Sequence, residues 1–388
     1  MSWPMVALGD VAEFINGAAF KPTDWEEDGR RIIRIQNLTD PGKPYNRTTR
    51  DVATKYEVLK GTLLVSWSAS LGVFEWPYDD VAVLNQHIFK VVPNKEKVDQ
   101  GYLRHMLDDA LVSMQRYAHG STMIHVNRGE FLSTKIPLPP LPKQKRIVAI
   151  LDQADYLRRK ALQADERFSG LGSALFWDTF VSKRSEEWPT VRVDTLVNRS
   201  RGGMRTGPFG SQLLHAEFVD AGISVLGIDN AVSNEFRWAG RRFITPEKYS
   251  GLKRYKVYPG DVLITIMGTC GRCAIVPSDI GEAINTKHLC CITLDGEKCI
   301  PEYLYYYFLY HPEATKHLAR QSKGAIMQGL NMGIIKDLPV VLPPISTQAE
   351  FARRIQGMSA EKGKIDVAKS AAEALFTSLQ HRAFRGEL

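Results

Sequence analysis

The sequence predicts an α+β protein with two mixed α/β globules, separated by two long antiparallel coiled-coil helices and related by a pseudo-twofold internal repeat. Three observations predict this architecture. A Leu-Pro-Pro-x-x-x-Gln motif occurs twice, ending at Gln144 and at Gln348, and residues 138–180 align with residues 342–384 without gaps. A long helical pattern follows each motif. Short strand-like runs broken by glycine and proline precede each motif.

The repeat divides the chain into four segments. At about 100–200 residues per domain, a chain of 388 residues predicts two or three domains. We assign the globules to residues 1–142 and 185–345, and the helical segments to residues 143–184 and 346–388. Within the globules, residues 31–35, 62–66 and 261–266 are typical of strands, and residues 102–107 and 303–310 are typical of helices.

The helical segments carry a heptad pattern. Apolar residues from Ile147 to Leu175 recur at alternating spacings of three and four, which is typical of a seam that packs helix on helix. A related pattern runs from Phe351 to Leu379. Pairing between these two copies costs the least entropy because both lie in one chain. The residues expected to form the helix and partner contacts are Ile147, Leu151, Leu157, Phe168, Leu171, Ile365, Leu375 and Leu379.

Composition indicates an ordinary soluble chain, with 44% hydrophobic and 24% charged residues. No apolar stretch reaches the roughly 18 residues that a membrane helix needs, and residues 1–4 do not resemble a signal peptide. We therefore expect a cytoplasmic protein with no membrane partner. The net charge of +7 falls mostly on the helical segments, and it is compatible with a polyanionic partner without demanding one.

The five cysteines all lie in the second half of the chain. Cys270-x-x-Cys273 with Cys290 downstream resembles half of a zinc site. In the repeat, however, Cys273 aligns with Phe74 and Cys290 with Phe89, so the first copy builds these positions from hydrophobic residues. Since a buried free cysteine behaves as a small hydrophobic residue, we favour core thiols and predict no metal site.

Motifs of the common catalytic sites are missing from the sequence. There is no Gly-x-x-x-x-Gly-Lys-Ser/Thr phosphate loop, no His-Glu-x-x-His helix, no Asn/Asp-Pro-Pro-Tyr/Phe motif of adenine methylation and no Pro-Asp dipeptide of a common nuclease centre. We therefore predict that the chain carries no catalytic residues.

With the two motifs and the ending at residues 379–388 in view, the whole chain resembles the specificity subunits of type I restriction–modification systems. The resemblance implies that two target-recognition domains bind double-stranded DNA, each reading one half of a split, asymmetric site. It also implies that the paired helices act as a spacer and dock two methyltransferase subunits, which restriction subunits then join. S-adenosylmethionine and ATP with Mg²⁺ would belong to those partners, leaving no cofactor on this chain.

Several side chains are candidates for DNA contact, each with a structural alternative. In the first globule, Lys21, Arg34, Gln36 and Asn37 surround a strand end and have groups that can reach base edges, although a solvated strand rim explains them as well. Trp67 is a candidate for stacking on a base, but burial in the core is more common for tryptophan.

In the second globule, a glycine-rich segment contains Arg201, Arg205 and Ser211, and its arginines suit phosphate or guanine. A surface hairpin without function is equally consistent with this segment. Lys287 completes the set of candidates. It lies in a segment, Asn285 to His288, that recurs as Asn85-x-His87, and this recurrence indicates a shared structural or backbone-contacting role.

Two other classes of function remain open on the residues alone. The chain could be a stand-alone methyltransferase or nuclease with unrecognised motifs, or a scaffold that pairs two protein partners without touching DNA.

Overall fold

The computed structural model describes residues 3–117, 128–322 and 330–388. It divides into two compact units, the first formed by Met1–Leu162 with Ala368–Leu388 and the second by Gln163–Val367. Each unit thus combines one globule with parts of both helical segments. The predicted mixture of helices and sheets within an internal repeat is confirmed.

The described residues of the first unit form ten strands and the greater part of the first long helix. Its strands are β1 (Met5–Ala7), β2 (Ala12–Asn16), β3 (Arg30–Ile33), β4 (Asn46–Thr48), β5 (Glu57–Val58), β6 (Leu63–Ser66), β7 (Gly72–Glu75), β8 (Ala82–Leu84), β9 (Ile88–Pro93) and β10 (Lys135–Pro137). Its helices are α1 (Leu8–Val11), α2 (Ile35–Thr39), α3 (Gln100–Tyr117), α4 (Arg128–Ser133) and α5 (Leu141–Ser169).

The described residues of the second unit have a similar content, and the last helix extends beyond Val367 into the first unit. The helices of the second unit are α6 (Leu171–Phe176), which continues as a π-helix over Trp177–Ser182, then α7 (Pro246–Ser250), α8 (Pro301–Tyr310), α9 (Pro312–Ser322), α10 (Met332–Lys336) and α11 (Ile345–Arg385). Its strands are β11 (Thr190–Arg192), β12 (Met204–Thr206), β13 (Ile223–Leu226), β14 (Phe243–Ile244), β15 (Val262–Thr265), β16 (Cys273–Ile275), β17 (Ala283–Asn285), β18 (Leu289–Ile292) and β19 (Pro339–Val341).

The sheets of the two units have matching topologies. An antiparallel sheet runs β2-β9-β6-β7 in the first unit and β12-β18-β15-β16 in the second. A second sheet, β4-β3-β8-β5, is matched by β14-β13-β17, and each contains one parallel pair, β3 with β8 and β13 with β17. A two-stranded ribbon, β1-β10 or β11-β19, closes each globule beside its proline-rich motif.

The repeated motif has a structural reason in its glutamine. The Gln144 side chain is fully buried, donates to the carbonyls of Lys97 and Pro139, and accepts the backbone N–H of Asp99 at 2.8 Å. Gln348 makes the same three contacts, with Lys298, Pro343 and Ile300. Because a buried amide is costly without partners, this one side chain fixes the start of the long helix against the globule.

Within each unit the two helical segments run antiparallel where they contact each other. In the first, Ala383 joins the core formed with Ile147 and Leu151, while Arg158 lies 3.6 Å from the Glu373 carboxylate. In the second, the Lys362 ammonium lies 2.7 Å from Asp165. The Phe180 and Phe351 rings lie 5.1 Å apart in the same unit.

The predicted seam is only partly buried. Ile147 and Leu151 are buried, Phe168, Ile365 and Leu379 are half-buried, and Leu157, Leu171 and Leu375 are 44–48% exposed. In α5 the buried stripe follows Gln144, Ile147, Leu151, Ala154 and Asp155 instead. At about 100° per residue, Leu157 lies about 120° around the helix from Leu151 and therefore outside this buried stripe. The expectation that Leu157, Leu171 and Leu375 lie inside the seam is therefore wrong.

Candidate nucleic-acid interface

In the first globule, four loops meet where the parallel strands β3 and β8 end. The backbone N–H of Asn85 donates to the carbonyl of Ile33 at 3.1 Å, and Gln86 donates to Ala18 at 2.8 Å. Trp67 donates its backbone N–H to His87. We call the surface formed by residues 16–21, 34–37, 66–70 and 85–88 the first edge.

The second globule builds the same arrangement where β13 and β17 end. Thr286 donates its backbone N–H to Leu226 at 2.8 Å, Gly207 donates to Thr286 at 3.3 Å, and Ile266 donates to His288 at 2.9 Å. We call the surface formed by residues 207–212, 227–230, 238–242, 266–270 and 285–288 the second edge.

A glycine at the same place in each edge permits this close approach. A Cβ atom on Gly17 would lie 2.0 Å from the carbonyl oxygen of Asn85, and one on Gly207 would lie 1.9 Å from that of Asn285. No side chain fits at such distances, so both glycines are needed for backbone contact. The recurrence of Asn85 and Asn285 in the sequence therefore reflects a backbone arrangement that both globules share. We call the buried residues that hold this arrangement the frame, beginning with Gly17 and Asn85 in the first globule and Gly207 and Asn285 in the second.

Asn37 belongs to that frame and not to the exposed surface. Its side chain is 3% exposed, accepts the backbone N–H of Arg34 at 3.2 Å and donates to the carbonyls of Lys43 and Pro44. Asn230 is equally buried and makes the equivalent contacts with Gly227 and Arg237. The expectation that Asn37 contacts DNA is therefore wrong, because its buried side-chain amide holds a turn.

The remaining candidates of the first globule lie on or beside the first edge. Gln36 is exposed, and no described residue bonds its side-chain amide. Arg34 is half-buried, with its guanidinium 5.4 Å from the Trp25 ring, and Lys21 is exposed. Trp67 is half-buried, stacks on Phe89 at 5.6 Å and donates its indole N–H to Asn16. This placement leaves part of the indole accessible at the edge.

The candidates of the second globule are divided. Ser211 is exposed and Lys287 is half-buried, and both lie on the second edge. Arg201 lies at the other end of β12, where its guanidinium faces the Tyr258 ring at 5.7 Å. The structure thus brings together Ser211 and Lys287 but separates them from Arg201.

Arg205 lies in the interior. It is 8% exposed on β12, its Nη2 lies 2.7 Å from Oδ2 of Asp261, and it also donates to Thr293 and to the carbonyl of Lys256. The expectation that Arg205 contacts DNA from the glycine-rich segment is therefore wrong, because Arg205 lies in a strand and is buried. A buried arginine with acceptors on every side has no free edge for DNA, so we remove it from the candidates.

Sequence reasoning missed two charged residues of the second edge. Asp229 accepts a hydrogen bond from Arg242, and both side chains are about one-third exposed. The signal was present in the sequence, since aligning Asn230 with Asn37 places Asp229 opposite Gln36. Burial, with the nearby charges of Lys287 and Arg242, lowers the pKa of His288. Among the residues of the second edge, Arg241, Arg242 and Lys287 outnumber the acidic Asp229, so this surface is locally basic.

The cysteine positions are those of core residues. Cys273, Cys290, Cys291 and Cys299 are fully buried, and Cys290 pairs across β18 and β15 at the position that Phe89 takes in the first globule. Burial raises the pKa of the Cys290 and Cys299 thiols to about 12. In the described ranges, no three histidine, cysteine, aspartate or glutamate side chains are grouped so that they could hold a metal ion.

Comparison with known proteins identifies the family. The model of the type I restriction modification DNA specificity domain matches residues 2–164 and again residues 227–369. The chain belongs to this family. It is 25% identical over 422 residues to the specificity subunit of the type I restriction enzyme EcoBI from Escherichia coli. The aligned region covers all of this chain and 86% of that protein. It is also 22% identical over 404 residues to the MjaVIII specificity subunit of Methanocaldococcus jannaschii, covering 95% of this chain and 90% of the relative.

The fold agrees with that family. The solved S subunit of a type I restriction–modification system from M. genitalium superposes with a TM-score of 0.61 at 13% identity, covering 99% of this chain and 96% of that chain. The prediction of a non-catalytic DNA-specificity subunit is confirmed by the family and its members. In the part of the chain that the structure describes, every helix is too short or too polar to cross a membrane.

Proposed function

We propose that each edge binds one half of a split DNA site, so that residues 1–142 and 185–345 act as separate readers. The observation that carries this proposal is that the two edges share a frame and differ in what they expose. Gly17, Asn37 and Asn85 have counterparts in Gly207, Asn230 and Asn285. Residues that read different sequences must differ, whereas those that hold the reading surface need not.

The exposed groups of the first edge suit the major groove. The free amide of Gln36 can pair with N6 and N7 of adenine, and Arg34 and Lys21 can reach guanine or phosphate. Trp67 offers an apolar face beside them. In the second edge, Ser211 can donate to base or phosphate, and Lys287 adds charge that neutralises phosphate.

The helical segments are proposed as the spacer that sets the gap between the two half-sites. The opposed contacts of Arg158 with Glu373 and of Lys362 with Asp165 support antiparallel pairing. The exposed side chains of Leu157, Leu171 and Leu375 supply apolar surface that a protein partner can cover. We assign this surface to two methyltransferase subunits. Restriction subunits, S-adenosylmethionine and ATP with Mg²⁺ would join through those partners, in the cytoplasm.

Methyl transfer and DNA binding test this proposal together. The purified chain is combined with the methyltransferase subunit encoded beside it, and labelled methyl transfer and duplex binding are measured for each protein alone and for the mixture. We expect the mixture to bind and methylate a two-part site, and the chain alone to transfer no methyl groups. Methylation by the chain alone would show an enzyme, and unchanged DNA binding by the partner when the chain is added would show a scaffold.

A further inference from the structure

Arg242 and Asp229 form an ion pair on the second edge that is incompletely satisfied within the protein. Nη2 of Arg242 donates to Oδ1 of Asp229, and the two side chains are 36% and 34% exposed. Nε of Arg242 is enclosed and has no acceptor among the described residues. Because a buried donor without a partner costs free energy, this guanidinium is held in place at a cost that the fold alone does not explain.

Two glycines leave the space that the pair occupies. A Cβ atom on Gly227 would lie 2.5 Å from Nη2 of Arg242, and one on Gly240 would lie 2.6 Å from Oδ2 of Asp229. Gly240 also has a positive φ of 53°, in the left-handed region. The backbone on both sides of the pair is therefore shaped around it.

Asp229 of this pair occupies the position that Gln36 takes in the first globule. Asn37 and Asn230 hold equivalent turns, so the residue before each, Gln36 or Asp229, projects from the same place in its globule. The first copy has a neutral amide there and the second has a carboxylate with an arginine. Two domains that read unlike half-sites require the same frame but different exposed side chains.

The chemistry of the pair selects one base. The Asp229 carboxylate holds Nη2 of Arg242 and restricts the plane of the guanidinium, while the N–H groups of Nη1 and the second N–H of Nη2 have no acceptor among the described residues. Two parallel N–H donors match O6 and N7 of guanine in the major groove, and no other base presents two acceptors there. Lys287 and Arg242 both lie close enough to His288 to lower its pKa, and the Lys287 ammonium can neutralise an adjoining phosphate.

We propose that Arg242, held by Asp229, is the guanine-reading residue of the second globule. This inference rests on the proposed function, since it needs the second edge to face DNA. It assigns one base of one half-site to a residue that is separate from the glycine-rich segment of Arg201 and Arg205.

The test is methylome sequencing in cells that express the complete restriction–modification complex with Arg242→Ala. We expect one guanine position of one half-site to become degenerate, with discrimination against other bases falling about ten-fold or more. The other half-site and the gap should be unchanged. Arg192→Ala is the matched control, because Arg192 forms an exposed pair with Asp194 and Asp337 away from the edge, and it should leave the motif intact.

The other outcomes of this experiment distinguish failure of this inference from failure of the proposed function. An unchanged motif with Arg242→Ala, or degeneracy at a position other than guanine, overturns this inference and leaves the proposed function standing. A wild-type complex without a two-part motif overturns both. If Arg242→Ala does not fold, Arg242→Gln decides, because the glutamine amide offers one donor and one acceptor in place of the two donors that guanine needs. The glutamine variant should lose the guanine preference at that position, and a retained guanine would overturn the inference.

Discussion

Arg205 and Asp261 form a buried ion pair in the second globule, with 2.7 Å between guanidinium and carboxylate. Asp261 is 1% exposed and also accepts the backbone N–H of Tyr258 at 2.9 Å. The pair therefore joins β12 and β15 to the loop before β15. Without Arg205, the carboxylate of Asp261 would be buried in the interior without a counter-charge.

Arg205→Ala is accordingly expected to lower the free energy of unfolding by about 3–5 kcal/mol, because it leaves Asp261 buried without its counter-charge. Chemical denaturation measures this loss. Arg205→Met combined with Asp261→Asn should recover part of it, since no net charge then remains unpaired. A near-neutral Arg205→Ala with altered DNA specificity would instead return Arg205 to the DNA contacts.

The two motif glutamines give a matched pair of substitutions. Gln144→Leu and Gln348→Leu should each destabilise their own globule by about 1–3 kcal/mol, because each strands a buried backbone N–H and two carbonyls. Gln153→Leu on the exposed side of α5 serves as the control and should have little effect. Equal melting behaviour for all three variants would refute the structural role of the motif.

Gly207→Ala tests the frame of the second edge. The added methyl group would meet the carbonyl of Asn285, and overpacking of this kind typically costs about 1–3 kcal/mol. We expect a lower melting temperature and weaker recognition of one half-site only. Gly296→Ala, where nothing lies within 4 Å of the new Cβ atom, should be neutral in both measurements. Wild-type binding and stability for Gly207→Ala would contradict the close approach.

His311 is expected to make the second globule sensitive to acid. Burial, with a contribution from Arg184, lowers its pKa to about 4, and Glu313 opposes this shift. The folded state therefore disfavours a proton that the unfolded chain accepts below about pH 6.5, so stability should fall between pH 6.5 and pH 4, by up to about 3 kcal/mol. His311→Asn should flatten this part of the profile of unfolding free energy against pH. Identical slopes for the two proteins would remove His311 as the cause.

Much of the fold could be predicted because the repeat acts as an internal control. The alignment of Cys290 with Phe89 predicted a core position, and both residues are buried at matching places in their sheets. The recurrence of Gln144 as Gln348 predicted a structural role, and the contacts explain it. Identical residues in two copies report on what the shared fold needs.

The candidate contacts were harder to predict because composition does not reveal which end of a strand a residue occupies. Arg201 and Ser211 are ten positions apart in one glycine-rich segment, yet one precedes β12 and the other follows it. Arg205, between them, meets Asp261 only through long-range packing. Leu157 fits a heptad by spacing, but it lies outside the stripe of α5 that is buried.

We propose that the two globules read separate half-sites while the helical segments set the distance between them. Methylome sequencing of cells carrying the complex with a few residues inserted after Ser182, at the end of the π-helix, tests this most directly. We expect the same two half-sites as in the wild type, separated by a different number of base pairs. Altered half-sites with an unchanged gap would contradict it.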